Sequence, residues 1–313
     1  MISFFQFEPI YQERVWGGRT LEKFLGRKLP GNTPIGESWE IVDRPEAQSR
    51  VAGGPWAGKT LRELLATHAA EIMGPGWPAD RPFPILVKWL DCRDRLSVQV
   101  HPPAGIARKL GGEPKTENWY VARADPGAGV YAGLKSGVTA EIFERAISAG
   151  TVDQCLDRLE VRDGDSLLIE SGTMHAIDAG NMILEIQQNS DTTYRVYDWG
   201  RMGLDGKPRT LHLRESLECL AANRAPRPRL VRDDAALVQC REFNIRRRIL
   251  APGDAVEFVA GEQPRILSVV EGELAGDGTF QKGDNLLVPY GSAATFRAAT
   301  RTTVLLTDNF SRT

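Results

Sequence analysis

Several things are scarce in this chain. Its 313 residues include only four histidines and four cysteines, and its formal charge is −2. No stretch approaches the roughly 18 consecutive apolar residues that cross a bilayer. The near-neutral charge leaves no basic stripe of the kind polyanions require, so no nucleic-acid partner is expected. Cys92, Cys155, Cys219 and Cys240 lie far apart with no C-x-x-C spacing, which argues for packed, reduced thiols and against zinc fingers or dithiol chemistry. The opening MISFFQFEPIYQERVWGG has no basic flank leading into a long apolar run. A secretory signal and a membrane partner are therefore not expected, and the cytoplasm is the expected compartment.

What is present is alternation. FPILVKWLD, RLSVQVHP, SLLIES, MILEIQQ, YRVYDW, RILSVVEGEL and NLLVPYG have a period of two and are punctuated by Gly, Pro, Asp or Asn. Many short strands with frequent turns predict a mainly β protein of sandwich or barrel type. Helical spacing interrupts the pattern in TLRELLATHAAEIM, from Thr60 to Met73, which places Leu61, Leu64, Leu65 and His68 on one face. It recurs in TAEIFERAISAGTVDQCLDRL, with Thr139 as the N-cap, and in TLHLRESLECLAA. NRAPRPRLVRDD is rich in Pro and Arg and marks a linker near residues 222–234. The length exceeds the usual ~100 to 200 residues of one domain. Two domains are expected, 1–225 with helical insertions near 58–75 and 139–159, and 226–313.

Two distant stretches read as variants of one another. In DGDSLLIESGTMHAI and KGDNLLVPYGSAATF, Gly164 aligns with Gly283, Asp165 with Asp284, Gly172 with Gly291 and His175 with Ala294. Self-similarity of this kind implies a duplicated β-unit, a Gly-Asp turn followed by a buried strand and a second turn. The cupin barrel, a small double-sheet jelly roll, has such an element just before a metal-binding histidine. The expected fold is thus mainly β, two cupin-like jelly-roll barrels, the first with helical insertions and the second free of metal.

The scarcity of histidine sharpens the search for chemistry. In LSVQVHPP, alternation puts Ser97, Gln99 and His101 on one face and Val98 and Val100 on the other. Three polar groups on an inner face would each cost free energy if buried without partners, so a ligand is expected there. Lys115 and Glu117 share a face in PKTENWYVA, as do Glu185 and Gln187 in LEIQQNSD, and His175 follows the Gly-Asp turn. Two imidazoles and a carboxylate from three strands would make an N/O metal site suited to zinc, and also to iron or manganese. Arg195, on a strand between apolar neighbours, would favour an anionic ligand. His68 and His212 fall in helical segments and are read as packed residues.

Taken together and in order, FPILVKWLDCRDRLSVQVHP, KTENWY, GTMHAI and EIQQNSDTTYRVYDWGR resemble the class I mannose-6-phosphate isomerases in their short bacterial form. EPIYQERVWGG, IGESWEI and YAGLKSGVT resemble that family's flanking segments, and the likeness runs from roughly Pro9 to Leu220. The resemblance implies an aldose-ketose isomerase that interconverts mannose 6-phosphate and fructose 6-phosphate through a cis-enediol, with one zinc ion per chain. It implies metal ligands at His101, Glu117 and His175, with Gln99 at a fourth position. It also implies a catalytic Arg195, and pocket roles for Lys115 and Glu185, the latter as proton-shuttling base. Ser97 and Lys88 are candidate contacts for a sugar phosphate, the one small-molecule partner implied. A regulatory paralogue that binds sugar phosphate without turnover, and an iron cupin with oxidative chemistry, are the alternatives. Turnover separates the first from an isomerase, and iron content with oxygen consumption separates the second.

Overall fold

The computed structural model describes residues 3–312. Its strands form antiparallel sheets of seven, six, five, four and two strands. The chain divides into two compact units: one comprises the segment up to Ile10, Trp39–Val87 and the chain from Asp233 onward, the other Tyr11–Ser38 and Lys88–Arg232.

The unit containing Lys88–Arg232 holds the five-stranded sheet and most residues of the seven-stranded one. The larger runs in the order Leu230–Val231, Ser166–Ile169, Glu117–Ala124, Asn181–Gln188, Ile85–Cys92, Ile35–Ile41, Ile10–Gly18. The smaller runs Leu156–Glu160, Gly129–Leu134, His175–Ile177, Val98–Val100, Tyr194–Tyr197. Trp16, Leu90, Trp119, Leu167 and Ile183 of the first pack on Val130 and Ile177 of the second, so the two sheets face each other across an apolar core. The other face of the five-stranded sheet, with Val98, Val100 and Tyr131, packs with Phe143, Ala146 and Cys219 of the helices Ala140–Ala149 and Leu213–Ala222. Each fully buried Val or Phe among them stabilises by about 1.5–3 kcal/mol. Thr139 caps the first of these helices as its sequence predicts, its hydroxyl accepting from the Ile142 N–H at 3.3 Å.

The other unit repeats this plan. Its six-stranded sheet runs Phe5–Gln6, Asn285–Val288, Arg265–Glu271, Thr302–Asp308, Asn244–Leu250, Ala236–Gln239, and its four-stranded sheet runs Gly278–Gln281, Glu273–Gly276, Ala294–Ala298, Ala255–Phe258. Strand for strand this is the order of the seven- and five-stranded sheets, less the edge strands Ile10–Gly18 and Tyr194–Tyr197. The aligned turns carry the repeat down to single hydrogen bonds. The Gly164 N–H donates to Val121 O and the Val121 N–H to Asp165 O, both at 2.8 Å, while Gly283 pairs with Val269 and Val269 with Asp284 at 2.8 and 2.9 Å. Asp165 accepts from the Arg162 N–H, and Asp284 from the Gln281 N–H. Gly164 and Gly283 have φ of 87° and 105°, a region that side chains with a Cβ avoid. The helix Leu61–Met73 also belongs to this unit and starts at a capping box, Thr60 with Glu63.

The expectation of two closed jelly-roll barrels is not met. Every sheet is open: in the seven-stranded sheet Leu230–Val231 and Ile10–Gly18 are unpaired edges, and none of the other sheets joins its ends. Alternation and turn spacing record that one face of each strand is buried, which facing open sheets satisfy as well as a barrel does. Closure depends on pairing between terminal strands, and the period of two carries no trace of it.

The four cysteines are free thiols. Burial pushes Cys92 well up, Cys219 to about 12 and Cys240 to about 11, so these three stay protonated and unreactive. Among the described residues, no helix is long and apolar enough to cross a membrane.

Candidate metal centre and its cavity

His101, Glu117 and His175 are fully buried and present one ligand atom each, all within 4.8 Å of one another. They are the only such group of His, Cys, Asp or Glu among the described residues. Their strands explain the meeting. His175 opens a strand of the five-stranded sheet opposite Gln99, two residues before His101, and Glu117 opens a strand of the seven-stranded sheet opposite Gln187.

Each imidazole is oriented by its other nitrogen. His101 Nδ1–H donates to Thr192 O at 2.7 Å, and His175 Nδ1–H donates to Thr173 O at 2.8 Å. Both Nε2 atoms therefore carry lone pairs and point at one carboxylate, Glu117, with Oε2 3.4 Å from His101 and Oε1 3.3 Å from His175. Burial pulls the His175 pKa down to about 3, and burial together with Lys115 lowers that of His101, so neither ring gains a second proton near neutral pH. Burial pushes the Glu117 carboxyl up, but Lys115, His101 and His175 outweigh it and hold it well below the usual carboxylate range. An acceptor thus faces an acceptor: His175 Nε2 and Glu117 Oε1 have no hydrogen-bond partner. A buried group left this way costs about 1–3 kcal/mol. A cation between them removes the penalty, and the donor set fits a metal ion whose ligands are oriented by backbone carbonyls.

Beside the triad is a cavity of about 410 Å³, within the ~300–1,000 Å³ typical of small-molecule sites. Charges of alternating sign cross its floor. Arg14 Nε lies 2.9 Å from Glu37, Glu37 3.5 Å from Lys88 Nζ, and Lys88 3.8 Å from Glu185. Glu185 is 3.9 Å from Lys115 Nζ, and Lys115 is 2.5 Å from Glu117 Oε2 and 3.3 Å from His101 Nε2. Burial pushes the Glu185 carboxyl up to about 7 even though Lys115 and Lys88 oppose it, and Trp119 Nε1–H donates to its Oε2 at 3.0 Å. Burial works against the Lys115 ammonium, yet Glu117 and Glu185 hold its pKa above the usual lysine value.

The structure brings every predicted residue to this place. Ser97, Gln99, Lys88, Lys115, Glu185 and Arg195 line the cavity. Arg195 pairs with Gln99 across the sheet, and its buried Nε has no hydrogen-bond partner. Arg14, Glu37, Asp191, Arg209 and His212 line the cavity too, and sequence reasoning assigned none of them to the site. Two had a signal. Glu37 shares a strand face with Ile35 and Trp39, and Arg14 shares one with Ile10 and Trp16, so each is a charge beside large apolar side chains. The rest had none, because loops deliver them: Arg209 is held by Asp198, Nε to Oδ2 at 2.7 Å, and His212 accepts from the Arg195 N–H at 3.2 Å. His212, read from sequence as a packed helical residue, stands just before the helix Leu213–Ala222 and faces the cavity.

Residues 4–126 match the family phosphomannose isomerase type I, catalytic domain. The chain is 37% identical over 300 residues to the mannose-6-phosphate isomerase ManA of Bacillus subtilis, covering 91% of this chain and 92% of the relative. It is 42% identical over 219 residues to the mannose-6-phosphate isomerase of Streptococcus mutans, 68% of each chain. Among solved structures, the mannose 6-phosphate isomerase of Bacillus subtilis superposes with a TM-score of 0.86 at 31% identity, covering 98% of this chain and all of that one. With the triad and its cavity, this likeness over nearly the whole chain means that the protein belongs to the class I mannose-6-phosphate isomerase family.

Proposed function

We propose that the protein interconverts mannose 6-phosphate and fructose 6-phosphate through a cis-enediol, using one zinc ion per chain. The observation that carries the reading is the pair of buried lone-pair donors, His101 and His175, converging on the Glu117 carboxylate beside a cavity rich in cations. Two imidazoles and a carboxylate suit zinc, with Gln99 the candidate for a fourth position. When bound, the ion supplies Lewis-acid polarisation of the sugar's C1 and C2 oxygens.

This chain's own residues would move the proton and hold the substrate. A carboxyl pushed up to about 7 can take a proton from one carbon and return it to its neighbour near neutral pH, which supports Glu185 as the base. Trp119 fixes one carboxylate oxygen, and the other lies toward Lys88 and Lys115. Lys115, kept as ammonium, can donate to the oxygen on which charge develops. Arg195 offers its unpartnered Nε–H to the enediolate or the phosphate, and Ser97 and Lys88 are further contacts for the anionic substrate. Fructose 6-phosphate formation from mannose 6-phosphate by the purified, zinc-loaded protein tests the reading; absence of turnover would sink it.

A further inference from the structure

We propose that Arg14 is a positioning residue for the anionic substrate, acting through Glu37 on Lys88; the inference rests on the isomerase reading above. Arg14 lies on Ile10–Gly18, an edge strand with no counterpart in the repeated unit. Its guanidinium grips Glu37 with two nitrogens, Nε at 2.9 Å from Oε1 and Nη2 at 3.4 Å from Oε2. Glu37 Oε2 in turn is 3.5 Å from Lys88 Nζ, which also lies 3.6 Å from Asp191 and 3.8 Å from Glu185.

The Lys88 side chain is only 4% exposed, so its protein partners, these carboxylates among them, and not solvent set where its ammonium sits. Coulomb attraction grows with uncompensated charge and is strong where water is excluded. With a guanidinium on Glu37, that carboxylate draws Lys88 only weakly, and the ammonium keeps its place on the cavity wall. Without Arg14, Glu37 becomes the stronger attractor and competes with an incoming phosphate for the same cation.

The seating of the edge strand is a second, independent observation. A Cβ on Gly36 would lie 2.5 Å from Arg14 Cβ and 2.9 Å from the Trp16 ring, and a Cβ on Gly17 would lie 2.3 Å from Gly36 N. Two facing glycines are thus required for the close approach that lets Arg14 reach Glu37.

The test compares Arg14→Met, Arg14→Lys and the double variant Arg14→Met/Glu37→Gln in the zinc-loaded enzyme, with melting temperature as a fold control. Arg14→Met is expected to raise KM for mannose 6-phosphate about tenfold while lowering kcat less than about threefold, because the loss falls on binding of the anion. Inorganic phosphate affinity, read by calorimetry, is expected to fall by about the same factor. Adding Glu37→Gln removes the carboxylate charge that Arg14 shares with Lys88 and is expected to bring both values back to within about threefold of wild type, with Arg14→Lys intermediate. An Arg14→Met loss that Glu37→Gln does not repair would mean that Arg14 only holds the edge strand, and would overturn the proposal. Unchanged KM and phosphate affinity in Arg14→Met would overturn it as well. Phosphate binding needs no turnover, so an inactive wild type would count against the isomerase reading while the Arg14 comparison still gave its answer.

Discussion

The two repeated β-units share strand order and turn hydrogen bonds, yet among the described residues only one has a cluster of metal-binding side chains. Register shows why. Glu117 pairs with Ile169, and the matching pair in the other unit is Arg265 with Val288. His175 pairs with Gln99, and the match is Ala294 with Phe258. Glu185 pairs with Trp119, and the match is Leu306 with Leu267. Where one unit places the triad and Glu185, the other places an arginine, a methyl, an aromatic ring and leucines, with Phe258, Phe280 and Phe296 packed edge to face around the same interior. One backbone plan therefore serves either an apolar core or a buried charge network, depending on a handful of inward positions. The two edge strands found in one unit alone, Ile10–Gly18 and Tyr194–Tyr197, bring Arg14 and Arg195 to the cavity. Added strands thus carry added cations to the cavity wall.

The comparison can be broken most severely at His175. Converting it to alanine, the residue its counterpart already has, is expected to abolish metal binding and lower turnover by more than about a thousandfold while far-UV circular dichroism stays native. Retained metal would show the ligand set to be wrong. Glu185→Gln, a step toward the neutral Leu306, is expected to keep the metal and lower kcat by about 10²–10⁴. Full activity in that variant would move the base elsewhere. Arg195→Ala is expected to lower turnover strongly with metal content unchanged; loss of the metal as well would make Arg195 structural.

A pH profile sharpens the same contrast. With the Glu185 carboxyl pushed up to about 7, the proposed base is protonated and silent below that value, so kcat/KM is expected to fall as pH drops through an apparent pKa near 7. A limb near 4.5, the ordinary glutamate value, would remove the effect of burial from the account. The smallest expected effect is the converse substitution. Ala294→His is expected to leave metal stoichiometry unchanged, because Arg265 and Phe258 occupy the companion positions.

The site was more legible in sequence than the architecture. Glu117, His175 and Glu185 stand in strands, and His101 and Lys115 directly beside them, so parity in the sequence was enough to group them. Arg209 and His212 arrive by loops, and no period encodes their reach. The closed barrel was misread for a related reason: the inward face of each strand is written in its apolar pattern, whereas the partner of an edge strand is not. The repeat itself was visible, since Gly164 and Gly283 mark positive-φ turns that other residues adopt only at a cost.

The most direct test of the central claim is to measure metal content and isomerase activity on one purified sample, before and after chelation. The account predicts a single zinc ion per chain, loss of fructose 6-phosphate formation in step with its removal, and recovery when zinc is returned. Undiminished turnover in protein stripped of metal would contradict it.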